Sequence, residues 1–153
     1  MIHQAVSLAN ERGCQALIVL GDLCSPFALA ALGPFKGRIY GVFGNNDGDR
    51  LRLDRAANLI GADFSPDPRP LELGGKRFFL MHEPFLLEEA AQSGRYDYIL
   101  YGHLHQTDDR SFGNCRILSP GELGGWLGRA TMMIMQTDDD RIEQITLVRE
   151  PKP

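Results

Sequence analysis

The sequence predicts an α/β domain spanning residues 1–153, and three observations predict it. Short apolar runs alternate with segments of helical period, the pattern of strands laid parallel in one sheet with helices over them. Four of those runs stop at a polar, ligand-type side chain: Asp22, Asn45, His82 and the pair His103/His105. Parallel strands end along a common edge, where α/β proteins place their sites. These residues are therefore expected to converge although they are spread along the chain. Finally, 153 residues that are 43% hydrophobic and 24% charged suffice to bury one real core.

Residues 2–12 are predicted helical, because Ile2, Ala5, Val6 and Ala9 recur at helical spacing and Gly13 can end the helix. His3 lies off that apolar face and is expected in solvent. Ala16-Leu17-Ile18-Val19-Leu20 is a continuous branched run, which predicts a strand buried on both faces and ending at Gly21-Asp22. Ser25-Pro26 supplies an N-cap and a first-turn proline for a short helix to about Leu32, broken by Gly33-Pro34. Residues 38–43 read as the next strand and stop at Gly44-Asn45-Asn46-Asp47. A helix over residues 49–60 follows, with Leu51, Leu59 and Ile60 as its core contacts.

Ser65-Pro66-Asp67-Pro68 reads as a loop. Residues 71–73 and 76–81 flank Gly74-Gly75, a two-residue hairpin turn, and the second strand stops at His82-Glu83. Pro84 opens a helix that runs to Ser93 and ends at Gly94. Tyr98-Ile99-Leu100-Tyr101 is a buried strand before Gly102-His103-Leu104-His105. Residues 116–118 form a short strand leading to Ser119-Pro120-Gly121-Glu122. After a Gly-rich loop around Trp126, strands over 131–136 and 142–148 close the chain around the turn Asp138-Asp139-Asp140.

A net charge of −4 argues against a general polyanion binder. Cys14, Cys24 and Cys115 are odd in number and scattered, with neither a disulfide framework nor zinc-finger spacing. They fit a reducing compartment, and no apolar run approaches membrane-spanning length. The first residues lack a signal-peptide pattern, so a cytoplasmic location is expected.

The expected cluster holds one carboxylate, one amide oxygen and three imidazoles. Mixed nitrogen and oxygen donors suit Mn²⁺, Fe²⁺, Zn²⁺ or Ni²⁺ better than Ca²⁺ or Mg²⁺. Residues i and i+2 of an extended chain point the same way, so His103 and His105 read as a ligand pair. An aspartate can bridge two ions, and such pairs activate water and neutralise phosphoryl charge during in-line displacement. Each motif alone also has a plain reading. Gly21-Asp22 and Gly44-Asn45-Asn46-Asp47-Gly48 have the composition of tight turns, and His82 that of a satisfied core histidine. Their ordered occurrence behind strands sets them apart.

Gly21-Asp22, Gly44-Asn45-Asn46-Asp47, His82 and Gly102-His103-Leu104-His105 resemble the ordered motifs of calcineurin-like metallophosphoesterases. Within that family the chain is most similar to the small YfcE-type phosphodiesterases, whose third motif reads Gly-Asn-x-Asp, as with Asn46 here. The resemblance covers nearly the whole chain, including the Pro-Gly turn before the final strands. It implies a four-layer αββα sandwich and a metal-dependent phosphodiesterase or phosphatase with two metal ions. By the same resemblance Asp22 bridges the ions, Asn45, His82 and His103 complete one, and His105 binds the other. Manganese is the implied metal, with zinc, iron or nickel as alternatives, and Asp22, Asn45 and His103 are the implied catalytic residues. Asn46 stands where larger relatives carry a histidine that assists the leaving group, so no general acid is assigned.

Two departures bear on activity. Glu83-Pro84 follows the first site histidine where small relatives often carry Gly-His, which alters the pocket rim. The family also opens with a strand ending in Asp-x-His, and no residue before Asp22 forms that motif. The expectation is an N-terminally truncated sandwich whose gene encodes that strand upstream in frame. The first metal then keeps only Asp22 and His105, and activity of the chain as given is impaired. An exposed sheet edge invites self-association, including a homodimer.

The implied substrate is a small phosphoester, with nucleic acid only in that capacity and no membrane partner. Two other readings stand beside the enzyme. One is a non-catalytic protein-binding scaffold: a retromer coat subunit resembles this fold and serves in protein contacts, so the fold alone does not secure chemistry. The other is a mononuclear metal protein using Asp22, Asn45, His82 and His103.

Overall fold

The structure is a computed structural model that describes residues 1–148. In chain order it comprises α1 (Ile2–Glu11), β1 (Ala16–Leu20), α2 (Pro26–Ala30), β2 (Arg38–Val42), α3 (Arg50–Leu59), β3 (Asp63–Ser65) and β4 (Arg69–Leu73). Then follow β5 (Lys76–Met81), α4 (Leu87–Gln92), β6 (Tyr98–Tyr101), β7 (Thr107–Phe112), β8 (Cys115–Pro120), β9 (Ala130–Gln136) and β10 (Arg141–Leu147). Local signals explain most of them. Ser25 caps α2 by accepting from Phe27 N, with Pro26 in the first turn. Asp49 caps α3 through Arg52 N. Leu73 pairs with Lys76 across Gly74-Gly75, the predicted two-residue hairpin turn.

Alternating side chains sort the strands into layers. Leu17 and Val19 of β1 pack with Val6, Ala9, Leu29, Leu53 and Ala57 of the three helices. Ile18 and Leu20, on the opposite face, pack with Phe78, Tyr98, Leu100 and Leu118 of a five-stranded sheet ordered β4-β5-β6-β8-β7. In that sheet β5, β6 and β8 run parallel, while β4 and β7 join antiparallel at its edges. Its other face is covered by α4, whose Ala91 meets Met81, Ile99 and Ile117. The β9–β10 hairpin presents Met133 and Met135 to the same inter-sheet core and Met132 and Ile134 to α1. The outcome is four layers: helices α1–α3, strands β1–β3 with the hairpin, the five-stranded sheet, and α4. The strands thus form two facing layers, the αββα arrangement that the family resemblance implies, in place of the single parallel sheet that alternation alone suggests. With this many apolar side chains, two faces had to be buried against each other.

The layer that holds β1 is in two pieces. β1 pairs with β2 in parallel, β9 pairs with β10, and the two pieces face each other across a cavity of about 1660 Å³. The cavity is walled by Val6 and Ala9 of α1, by β1 and β9, and by Phe78 and Leu118 below. This accounts for a second correction. β1 was expected to be buried on both faces, yet all five of its residues are only half-buried, because one of its edges opens onto this cavity.

Three more differences have local causes. The buried face of α3 is Leu53 and Ala57, with Ile60 alongside, while Leu51 is 63% and Leu59 88% exposed. A spacing of i, i+4, i+7 chose one stripe, and the leucines fell off it. Helix α4 begins at Leu87 rather than Pro84, because Leu86 takes a left-handed φ of 49° that no helix can run through. Strands β3 and β7 were not expected. Thr107–Phe112 is polar and largely exposed, and it is a strand only because β8 offers its edge. His3 is exposed, as expected.

The entry into the five-stranded sheet is locked by one polar pair. Arg77 N and Nη2 donate to the two oxygens of Asp97 at 2.7 and 2.8 Å, and Asp97 N returns a bond to Arg77 O at 2.8 Å. These bonds hold the Asp97 carboxyl down at about 2, below its ordinary value of 3.8. A carboxyl lowered on folding stabilises the protein above its unfolded pKa, and loses that effect as pH falls through the folded one. Asp97→Asn is therefore expected to lower the thermal midpoint by a few degrees at neutral pH. The gap to the parent should close as the pH approaches 2, and a melting series against pH measures it.

Candidate metal centre

The ends of β1, β2, β5 and β6 meet at one point, and glycine allows it. A Cβ on Gly21 would lie 2.5 Å from His82 Nδ1 and 2.8 Å from Gly44 Cα. One on Gly44 would lie 2.1 Å from Asp22 Oδ1. Both are closer than any real side chain sits, so the two turns fit together only without side chains. Gly102 N also bonds His82 O at 3.0 Å, tying the end of β6 to that of β5.

Asp47 binds the first two turns into one unit. It is buried, and its Oδ2 accepts from Asp22 N at 3.0 Å and Gly44 N at 2.8 Å, while Oδ1 accepts from Cys24 N at 2.7 Å. Asp22 and Cys24 both sit at left-handed φ values, 58° and 59°. The Asp47 carboxylate is what stabilises that conformation against its intrinsic cost. Asn46 then fixes the Asp22 side chain, donating from N to Oδ1 at 2.9 Å and from Nδ2 to Oδ2 at 2.8 Å.

Four of the five expected residues are joined by a chain of contacts, Asp22 to His82 to Asn45 to His103. His82 Nε2 lies 2.8 Å from Asn45 Oδ1 and 3.3 Å from Asp22 Oδ2, and His103 Nδ1 lies 3.1 Å from the same Asn45 oxygen. His82 is 2% exposed, and its other nitrogen, Nδ1, faces the Leu20 carbonyl at 2.7 Å. A carbonyl only accepts, so Nδ1 carries the hydrogen. In the neutral ring Nε2 is then a lone pair, aimed at two oxygens that are acceptors themselves. A cation between them satisfies all three atoms at once. Without one, the ring must take a second proton or the Asn45 amide must turn its nitrogen inward. A metal-binding histidine ordinarily gives its second N–H to a carbonyl or carboxylate, as His82 does. The donor chemistry therefore fits a divalent ion. Counting His, Cys, Asp and Glu alone, no three gather in ligand geometry among the described residues. The amide oxygen of Asn45 stands at the middle of this group.

His105 behaves differently from the expectation. The chain leaves extended geometry after Tyr101, and His103 and His105 take left-handed φ values of 63° and 57°. Alternation therefore does not aim them together: His103 turns to Asn45, and His105 Nδ1 meets Glu122 Oε2 at 2.7 Å. All of Asp22, His82, His103, His105 and Glu122 line the cavity between β1 and β9. Burial acts to raise the Glu122 carboxyl, but bonds from His105 and from the Leu127 and Gly128 amides outweigh it and leave the group below its ordinary range. Sequence reasoning gave no role to Asp47 or Glu122. An acidic residue inside a Gly-Asn-Asn-Asp turn, and another straight after Pro-Gly, were the only signals available.

Asp47→Ala leaves three amides without their acceptor, that of Gly44 buried and those of Asp22 and Cys24 partly so. A destabilisation of about 3 kcal/mol is expected, and chemical denaturation measures it. The Asp22 turn should relax with it, so bound metal should fall in the same variant.

The fold and these motifs have counterparts. The model of the calcineurin-like phosphoesterase superfamily domain matches residues 1–140. The phosphodiesterase MJ0936 of Methanocaldococcus jannaschii is 29% identical over 150 residues, which cover 95% of this chain and 90% of that protein. The solved structure of an archaeal phosphodiesterase superposes with a TM-score of 0.90 at 29% identity, over 95% of this chain and 91% of its own. YfcE, a phosphoesterase from E. coli, shares the fold with a TM-score of 0.65 at 19% identity, over 94% and 90% of the two chains. So does a zinc-complexed Vps29 from Entamoeba histolytica, with a TM-score of 0.68 at 15% identity, over 94% and 88%. With four layers of the same kind and the family model matched over residues 1–140, this chain belongs to the calcineurin-like phosphoesterase superfamily.

Proposed function

We propose that the chain is a metal-dependent phosphoesterase, a phosphodiesterase or phosphatase, that hydrolyses small phosphoesters at the Asp22–Asn45–His82–His103–His105 site. The observation that carries this reading is His82: its Nδ1 is committed to the Leu20 carbonyl, and its Nε2 faces the oxygens of Asn45 and Asp22. The phosphodiesterase name of the M. jannaschii relative supports the reaction class. Asn45, His82 and His103 would hold one ion, His105 would hold the second and Asp22 would serve both, with manganese first and zinc, iron or nickel as alternatives. When bound, such ions supply Lewis-acid activation of water and neutralise the phosphoryl oxygens.

The chain's own residues set the geometry. Asn46 holds both oxygens of Asp22 in place, so the carboxylate has no rotamer search to make. Leu20 holds the His82 ring, and His103 and Asn45, both exposed, leave the site open to an incoming phosphoester. No side chain here is assigned as a general acid, so a good leaving group is preferred.

The second ion has Asp22 and His105 from this chain, and the cavity between β1 and β9 opens at those residues. We infer that an extended apolar segment seated there, parallel to β1, completes both the sheet and that ion's ligands, and that without it turnover is slow. The cavity-side edges of β1 and β9, which have no strand partner among the described residues, and the apolar walls support this placement. The same open edge is where a homodimer would form.

The first test is hydrolysis of bis-p-nitrophenyl phosphate with Mn²⁺ and with a chelator, on this chain and on one extended by the codons upstream of Met1. Chelator-sensitive turnover that rises on extension is the expected result. Silence in both forms, with metal bound, would favour a non-catalytic scaffold. Metal analysis gives the stoichiometry: one ion per chain would point to the mononuclear form. In the active form, His103→Ala and Asp22→Ala should abolish turnover while the melting curve stays close to the parent's. Asn46→Ala keeps the backbone bond to Asp22 and should cost only about tenfold.

A further inference from the structure

We propose that Glu122 is a positioning residue for His105: its carboxylate fixes the ring in the Nδ1–H form, which leaves Nε2 as the one nitrogen free to bind metal. The proposal rests on the metal-centre reading for its purpose, and on the geometry alone for its mechanism.

Glu122 accepts at both oxygens. Oε2 takes His105 Nδ1 at 2.7 Å, and Oε1 takes Leu127 N at 2.6 Å and Gly128 N at 2.9 Å. Its side chain is 8% exposed, against 36% for His105, so the carboxylate is the rigid partner of the two. Its backbone is fixed as well. Thr131 N donates to Glu122 O at 2.8 Å, and the residue bridges to Ala130 at the head of β9. His105, by contrast, sits on a left-handed turn after β6 with an exposed ring. Its tautomer and orientation therefore come from the segment between β8 and β9, which is anchored to the head of β9. An ionised carboxylate can only accept, so in the neutral ring the hydrogen must be on Nδ1. A ligating histidine held in this way is the arrangement that tunes many metal sites.

The isosteric change Glu122→Gln separates this from a packing role. Two backbone amides require the oxygen of the new side chain, which turns its NH₂ toward His105. The imidazole must then accept at Nδ1, and its hydrogen moves to Nε2, where it blocks metal binding. Shape and both loop bonds survive.

The test is ¹⁵N NMR of the metal-free chain above the imidazole titration range, together with Mn²⁺ titration of both forms. Wild type should show His105 protonated at Nδ1. Glu122→Gln should show it protonated at Nε2, with Mn²⁺ affinity at the His105 position reduced about 10- to 100-fold and the thermal midpoint little changed. An Nε2–H wild-type ring overturns the proposal without recourse to any variant. So does a Glu122→Gln chain that switches tautomer yet keeps parental affinity. Failure of the metal-centre reading looks different: neither form binds Mn²⁺, while the tautomer still switches.

Discussion

One bond joins the two halves of the site. His82 ends a strand of the five-stranded sheet, and the Leu20 carbonyl that faces its Nδ1 ends a strand of the other sheet. The His82 ring is buried, so the bond forms where an unpaired imidazole would cost the most. It also sets the spacing around it. Gly21 and Gly102 flank the Leu20–His82 contact so closely that a Cβ at either would strike the ring or the carbonyl. Once the sheets are held at this separation, Asn45 and Asp22 arrive from one side and His103 from the other, with Asn45 in reach of both rings and Asp22 beside His82.

The site is also where the backbone is least relaxed. Asp22, Cys24, His103 and His105 all have left-handed φ values. Each such residue costs about 1 kcal/mol or more in isolation. The surrounding bonds hold these turns in place: Asp47 accepts from three amides, Asn46 grips Asp22, and Glu122 grips His105. Two buried carboxylates thus act on the candidate metal site without supplying any of its proposed donors. They stabilise turns that would otherwise relax, and relaxation would scatter the donor atoms.

The cavity between β1 and β9 links the fold to the chemistry. A parallel strand in an α/β sandwich is ordinarily shielded along both edges, whereas β1 is paired on one edge and open on the other. The same opening reaches Asp22 and His105, the two donors of the proposed second ion. Anything that closes the sheet there also changes the site, so the stability of this layer and its metal affinity should move together.

Local sequence signals reveal the succession of elements and the candidate donors. Branched apolar runs gave β1, β2, β5 and β6, caps gave α2 and α3, and each strand end named its polar residue, because these are signals within a few residues of one another. Short elements without such signals, β3 and polar β7, were invisible, since a neighbour's edge makes them strands. The stripe on α3 chose Leu53 and Ala57 over Leu51 and Leu59 because packing, not hydrophobicity, ranks leucines on one helix. Tertiary packing alone decided that the layer holding β1 is in two pieces, that His103 and His105 turn apart, and that Asp47 and Glu122 hold the turns. The physical reason is the same throughout: these outcomes depend on bonds such as His82 to Leu20 and His105 to Glu122, whose partners meet only after the layers have packed.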